Sequence, residues 1–83
     1  MKYIATCFSH YAAVRMKKLC ESSGWEARLM PVPRALSSSC GICVSYEGDR
    51  MCPVSEIPEE VEQIVEVPED GGEYCTVYMA EGL

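Results

Sequence analysis

The chain has 83 residues, six of them cysteines, and a formal net charge of −6. A chain of this length has room for one domain, which we expect over residues 1–83. A core this small leaves no cavity for a large substrate. The acidity argues against nucleic-acid binding, which needs clustered cations. No apolar run is long enough to cross a bilayer. We therefore expect neither a nucleic acid nor a membrane as a partner.

The N-terminal residues, MKYIATCFSHY, contain one lysine and a short apolar run that Ser9 and His10 interrupt. A secretory signal peptide needs a longer apolar stretch and a small-residue cleavage site. We therefore expect a cytoplasmic protein, whose thiols normally stay reduced.

Charge is divided unevenly along the chain. All seven Lys and Arg residues lie within residues 1–50, whereas nine of the thirteen acidic residues lie within residues 51–83. Such an acidic run usually forms a solvated surface. A second interpretation is that the acidic half attracts a basic partner, while the basic half surrounds an anionic site.

The first half of the chain predicts a strand, a helix and a second strand. Residues 2–6 are rich in the β-branched and aromatic side chains that strands favour. Apolar residues recur at helical spacing over 10–23, with Ser9 as the N-cap and Gly24 as the residue that ends the helix. Residues 25–30 alternate apolar and charged side chains, which predicts a strand with one buried face.

The second half predicts a third strand, a second helix and a fourth strand. Residues 42–47 and 73–79 have strand-like composition. Between them, the apolar residues recur at the spacing of one helical face, and they are Ile57, Val61, Ile64 and Val65. We therefore expect a helix over 56–66 with Ser55 as its N-cap.

The element order is β-α-β-β-α-β. Right-handed crossovers then give an α+β fold, the ferredoxin-like plait, in which a four-stranded antiparallel sheet carries both helices on one face. This fold hosts many functions, so it does not specify one.

Residues 31–41, PVPRALSSSCG, connect the second and third strands and are longer than a hairpin requires. A compact domain usually has a functional use for such a connection. Pro31 and Pro33 stiffen the chain, and Gly41 permits a positive φ and close approach by another molecule.

Cys40 is the candidate nucleophile of this connection. The thiolate is the reactive form of cysteine, and a guanidinium or hydroxyl groups nearby stabilise it. Arg34 can reach Cys40 if the connection folds back, and Cys43 completes a CxxC spacing. We expect Cys40, Cys43 and Arg34 to carry the chemistry, and the binding residues to be Ser37, Ser38, Ser39 and Gly41.

Two segments, YIAT…SHYAAVRMKKLC and RLMPVPRALSSSCG, resemble the Se/S carrier protein-like domain, also called DUF3343. The likeness is good over about residues 2–48 and continues afterwards only as a pattern. It implies that Cys40 carries sulfur or selenium as a persulfide or selenopersulfide, with Arg34 and the three serines around it. The implied partners are a donor such as a cysteine desulfurase and an acceptor protein, and no cofactor is expected. The family does not require Cys43.

Other interpretations stay open. Cys40 and Cys43 could form a dithiol redox module, or Cys40 could be a structural turn residue. Cysteines at 40, 43 and 52, with His10 or Cys75, could bind zinc or an iron–sulfur cluster. A scaffold without chemistry is a further alternative, and an edge strand could pair two copies into a homodimer.

The remaining cysteines, Cys7, Cys20 and Cys75, fall within predicted elements, and we expect them to be buried. The sequence contains no arrangement typical of a turnover enzyme, which favours a carrier. It does not distinguish sulfur from selenium.

Overall fold

The computed structural model describes residues 1–36, 41–48, 57 and 61–80. Within these ranges the chain forms one helix and five strands, which confirms the predicted α+β class with an antiparallel sheet. The elements in chain order are β1 (Lys2–Cys7), α1 (His10–Ser22), β2 (Glu26–Pro31), β3 (Ile42–Glu47), β4 (Val61–Val67) and β5 (Cys75–Met79). No helix in the described ranges is long and apolar enough to span a membrane.

The five strands form one sheet in the order β2-β3-β1-β4-β5, and all neighbouring strands are antiparallel. β1 lies in the centre, between β3 and β4. Because β1 and β2 both pair with β3, they run in the same direction, and α1 makes the crossover that parallel strands require. Among the described strands, β2 and β5 lie at the two edges of the sheet.

The helix begins and ends as its sequence predicts. The Ser9 side chain accepts a hydrogen bond of 3.1 Å from the backbone N–H of Ala12, which satisfies one of the free donors at the helix start. After the last turn, Gly24 has a φ of +85°, a conformation that costs glycine little.

The prediction of a second helix over 56–66 is wrong for residues 61–66, which lie in β4. Residue 57 is outside the elements, and residues 55, 56 and 58–60 are not among the described residues. The described ranges therefore contain five strands, where four were expected.

A β-bulge explains why β4 resembles a helix in sequence. Thr6 pairs with Gln63 but Cys7 pairs with Val61, so β4 contains an extra residue at this point. The bulge turns Val61 and Ile64 to the same side of the sheet, where both join one core cluster. A three-residue apolar spacing therefore arises in a strand whose Val and Ile content favours β structure.

The two faces of the sheet are covered differently. The helix face packs against α1, and its buried strand residues are Tyr3, Ala5, Cys7, Val44, Tyr46, Val61 and Ile64. We call the opposite face the second face. Its buried core comprises Ile4, Cys43 and Val65, and the partly buried residues that pack against this core are Met30, Val32, Leu36, Val67 and Tyr74.

Three aromatic rings stack on the helix face. The Tyr46 ring lies 5.3 Å from that of Tyr3 and 5.7 Å from that of Trp25, measured between centroids. A Cβ atom at Gly48 would lie 2.8 Å from the Trp25 ring, so this position needs a residue without a side chain. The stack therefore links β1, β3 and the chain entering β2.

Candidate functional site

The β2–β3 connection, residues 32–41, is closed by a hydrogen bond at its base. β2 and β3 pair up to Pro31 and Ile42, and the backbone N–H of Val32 then donates to the carbonyl of Gly41 at 3.2 Å. Gly41 has a φ of +75°, as predicted, with no atom near its would-be Cβ. Glycine is therefore needed here for backbone conformation and not for space.

The first part of the connection turns back onto the second face of the sheet. The backbone N–H of Leu36 donates to the carbonyl of Pro33 at 3.0 Å, which closes a four-residue turn. Arg34 is the second residue of this turn and is exposed. Val32 and Leu36 pack against the core of the second face. Two apolar side chains thus fix the connection to the sheet.

Ser37, Ser38, Ser39 and Cys40 lie outside the described residues. The predicted approach of the Arg34 guanidinium to the Cys40 thiol therefore stays a prediction. On either side of these four residues the chain has a defined course, through Leu36 and Gly41.

Cys43 is wholly buried on the second face. Its thiol donates to the carbonyl of Pro31, with an S···O distance of 3.7 Å, and packs in the cluster of Ile4 and Val65. Another protein cannot reach a sulfur atom in this position. The predicted dithiol chemistry with Cys40 would require that Cys43 first become accessible.

The four described cysteines carry no disulfide bond. Cys7 and Cys20 are buried in the helix-face core, as predicted. The expectation that Cys75 is buried is wrong, because β5 is an edge strand and this side chain is exposed.

The strand register separates two of the suggested metal ligands. Cys43 pairs with Thr6 and faces the second face. Cys75 pairs with Glu66, which pairs in turn with Tyr3 on the helix face. The sheet therefore lies between these two thiols. Among the described residues no group of three His, Cys, Asp or Glu side chains could bind one metal ion.

Thr6 is a buried residue that the sequence analysis did not single out. Its side chain lies on the second face, opposite Cys43 on one side and Gln63 on the other. Within the described part of the chain, its hydroxyl has no hydrogen-bond partner. The alternation of β1, in which Thr6 falls on the side of Ile4, was the available signal, but only one packed face was expected.

A groove of about 610 Å³ lies on the second face beside the connection. Ala35 and Leu36 of the connection form part of its lining. The rest comes from β4, from β5 and from the segment entering β5, with Gln63, Val65, Gly72, Glu73, Tyr74 and Thr76. Any molecule in this groove would touch the segment that leads to Cys40.

Comparison with known families matches residues 2–67 to the family described as "Putative Se/S carrier protein-like". The matched range is more than half of the chain. The chain belongs to this family. The resemblance noted in the sequence is thereby confirmed, and the family range includes the whole β2–β3 connection.

The family range ends with β4, so β5 lies beyond it. No curated protein and no solved structure matches the chain.

Proposed function

We propose that the protein is a carrier of sulfur or selenium, with the Cys40 thiol as the carrying group. The observation that supports this function best is the family membership over residues 2–67, because that range includes the connection with its single cysteine. The protein passes the atom between partner proteins and performs no turnover of its own.

The transfer conserves atoms and electrons. The Cys40 thiolate attacks the outer sulfur of a donor persulfide, and a new S–S bond forms as the donor's S–S bond breaks. The donor leaves as a thiolate, and Cys40 holds the sulfane sulfur as a persulfide. An acceptor thiolate then attacks that outer sulfur in the same way. Selenium follows the same scheme as a selenopersulfide.

The geometry of the connection supports this role. A carrier cysteine must be presented to two different proteins while its attachment to the fold stays fixed. The Val32–Gly41 hydrogen bond and the packing of Leu36 fix the connection at both ends of the segment 37–40. The exposed Arg34 lies three residues before that segment and supplies the one cation in the sequence of the connection.

The other cysteines that the structure describes fit a carrier less well. Cys7, Cys20 and Cys43 are buried and out of reach of a partner's active site. Cys75 is exposed, but it lies on β5, outside the family range. We propose a cysteine desulfurase as the donor class and the cytoplasm as the compartment, since the transfer needs reduced thiols.

The test is persulfide loading followed by intact-mass measurement. Reduced protein is incubated with a cysteine desulfurase and cysteine, and the wild type should gain the mass of one sulfur atom. Cys40→Ser should gain none, because its hydroxyl cannot form the S–S bond.

Cys75→Ser is the matched control, because it removes the exposed thiol of β5 and leaves the connection intact. It should load like the wild type. An equal mass gain on Cys40→Ser would assign the sulfur to another cysteine and remove the proposal. Selenocysteine in place of cysteine lets the desulfurase form a selenopersulfide as the donor, and the mass gained by the carrier then distinguishes selenium from sulfur.

A further inference from the structure

The two edge strands differ in how well they resist pairing with another chain. β2 contains Glu26 and Arg28 and ends at Pro31, and charges and proline are the features that protect sheet edges. β5, with the sequence CTVYM, contains neither a charge nor a proline. In the described part of the chain, no strand pairs with the outer edge of β5. The backbone donors and acceptors along a sheet edge of this kind can pair with an added strand.

The charged residues of β4, of β5 and of the segment between them are all acidic. Residues 61–80 contain no Lys or Arg, and their acidic residues are Glu62, Glu66, Glu69, Asp70 and Glu73. The last three are exposed in the segment that leads into β5. A strand added to β5 therefore meets a negative potential, which attracts cationic side chains.

The groove of the second face lies between β5 and the connection. Glu73 and Thr76 line it on the β5 side, and Leu36 lines it on the side of the connection. Alternate side chains of a strand added to β5 point to the second face, where the groove lies. A segment bound at this edge would place its protein next to the segment that carries Cys40.

We propose that the outer edge of β5 binds an extended, Lys- or Arg-containing segment of a protein that exchanges sulfur or selenium with Cys40. This assignment rests on the proposed carrier function for the identity of the partner, and on the structure for the edge and its charge. It places partner recognition on β5, outside the range shared with the family.

A second copy of the chain is a poorer occupant of the same edge. Two β5 strands that pair antiparallel across a two-fold axis place the acidic segment of each copy, with Glu69, Asp70 and Glu73, beyond the end of the other copy's β5. Residues 61–80 of that copy contain no Lys or Arg, so the paired surfaces have the same sign of charge and form no opposite-charge contact. Charge complementarity thus favours a basic partner over the homodimer.

The experiment uses the full chain with Cys40→Ser, so that binding is measured apart from sulfur transfer. The probes are two fluorescein-labelled peptides, one with alternating Lys and Val residues and one with Glu in place of each Lys. Fluorescence anisotropy should show that the Lys peptide binds at least about tenfold more tightly than the Glu peptide. Binding should weaken as the salt concentration rises, since these charges are exposed.

Matched variants test whether the edge itself is used. Val77 on β5 and Leu29 on β2 are both 37% exposed, and each is replaced by Lys. Val77→Lys should reduce binding of the Lys peptide about tenfold or more, because it puts a cation on the bound edge. Leu29→Lys should leave the affinity within about twofold. Glu73→Lys and Glu26→Lys form a second pair with the same expectation, and circular dichroism checks that all four variants are folded.

Three results would overturn this inference: no binding of the Lys peptide, equal binding of both peptides, or equal losses in the β2 and β5 variants. Analytical ultracentrifugation adds a fourth, since a wild-type dimer that Val77→Lys dissociates would make a second copy the occupant. Persulfide loading of the wild type is measured separately. If the chain binds the peptide but never loads sulfur, the result supports the docking edge and contradicts the carrier function.

Discussion

The two faces of the sheet bury their side chains by different means. On the helix face a regular helix with a capped start covers the strands, and three stacked rings extend the core. On the second face an irregular connection provides Val32 and Leu36 as its cover. We infer that the two faces have different roles: the helix face stabilises the fold, and the second face positions the connection.

The largest expected effect is on the helix face. Met16 of α1 is wholly buried in its core, and Met16→Ala should lower the free energy of unfolding by about 2–5 kcal/mol. The reason is the lost burial together with the cavity that the shorter side chain leaves. Urea unfolding measures the loss.

Leu36→Ala is the counterpart on the second face. Leu36 is partly buried, so the variant should lose only about 1 kcal/mol, but the connection loses an anchor. Cys40 should then be alkylated faster than in the wild type, as measured by peptide mapping, whereas Met16→Ala should leave that rate unchanged under folding conditions. Equal changes in stability and alkylation for both variants would contradict the division between the faces.

A loss smaller than that of Met16→Ala is expected where the aromatic stack meets the chain after β3. Gly48→Ala places a methyl group 2.8 Å from the Trp25 ring, which must then move away from Tyr46. We expect a loss of about 1–2 kcal/mol in unfolding experiments, together with altered tryptophan fluorescence. Gly72→Ala is the control, because its nearest neighbour is the side-chain oxygen of Asp70 in an exposed turn. Unchanged stability and fluorescence in Gly48→Ala would show that the contact is not needed.

The second face should tolerate, and even favour, one apolar replacement. Within the described residues the buried Thr6 hydroxyl has no hydrogen-bond partner, so folding removes it from water without forming a bond that replaces those to water. Thr6→Val removes this cost. We expect stability to rise by up to about 1 kcal/mol. Thr76→Val, an exposed change on the same face, should stay within about 0.5 kcal/mol of the wild type. A clear loss in Thr6→Val would show that the hydroxyl makes a bond that matters.

The smallest effect appears at alkaline pH on the helix face. Burial raises the pKa of Tyr3, and the Glu66 carboxylate raises it further. The fold thus binds the phenol proton more tightly than the unfolded chain does. Stability should be complete below about pH 10 and should fall as the pH rises through the raised pKa, because the unfolded chain loses its proton first.

Tyr3→Phe should reduce that alkaline loss in the free energy of unfolding, and Tyr11→Phe, which changes an exposed ring, serves as its control. If Tyr3→Phe and the wild type lose stability identically above about pH 10, the Tyr3 phenol is not responsible.

Local patterns were sufficient to predict most of the fold. Strand composition placed β1, β2, β3 and β5 to within about two residues, and the Ser9 cap and Gly24 placed the helix. The pattern failed at β4, because a bulge is set by pairing with β1 and has no local signal. Leu29, predicted on a buried face, is exposed because β2 lies at the edge of the sheet.

The candidate site was predicted in part. The length and composition of the connection identified it, and the positive φ of Gly41 agrees with the expectation. The burial of Cys43 and the exposure of Cys75 depend on which strands lie inside the sheet, which no single segment encodes. The second packed face, and with it Thr6, depends on a connection that folds back over the strands.

The hydrogen bond between Val32 and Gly41 also makes the length of the connection independent of the pairing between β2 and β3. Because the strand register is already complete at Pro31 and Ile42, a residue added or removed between positions 37 and 40 would leave the alignment of β2 with β3 unchanged. The length of the segment that contains Cys40 can therefore change during evolution without any change in the sheet. Under the proposed carrier function, such a change would adapt the protein to a different donor or acceptor.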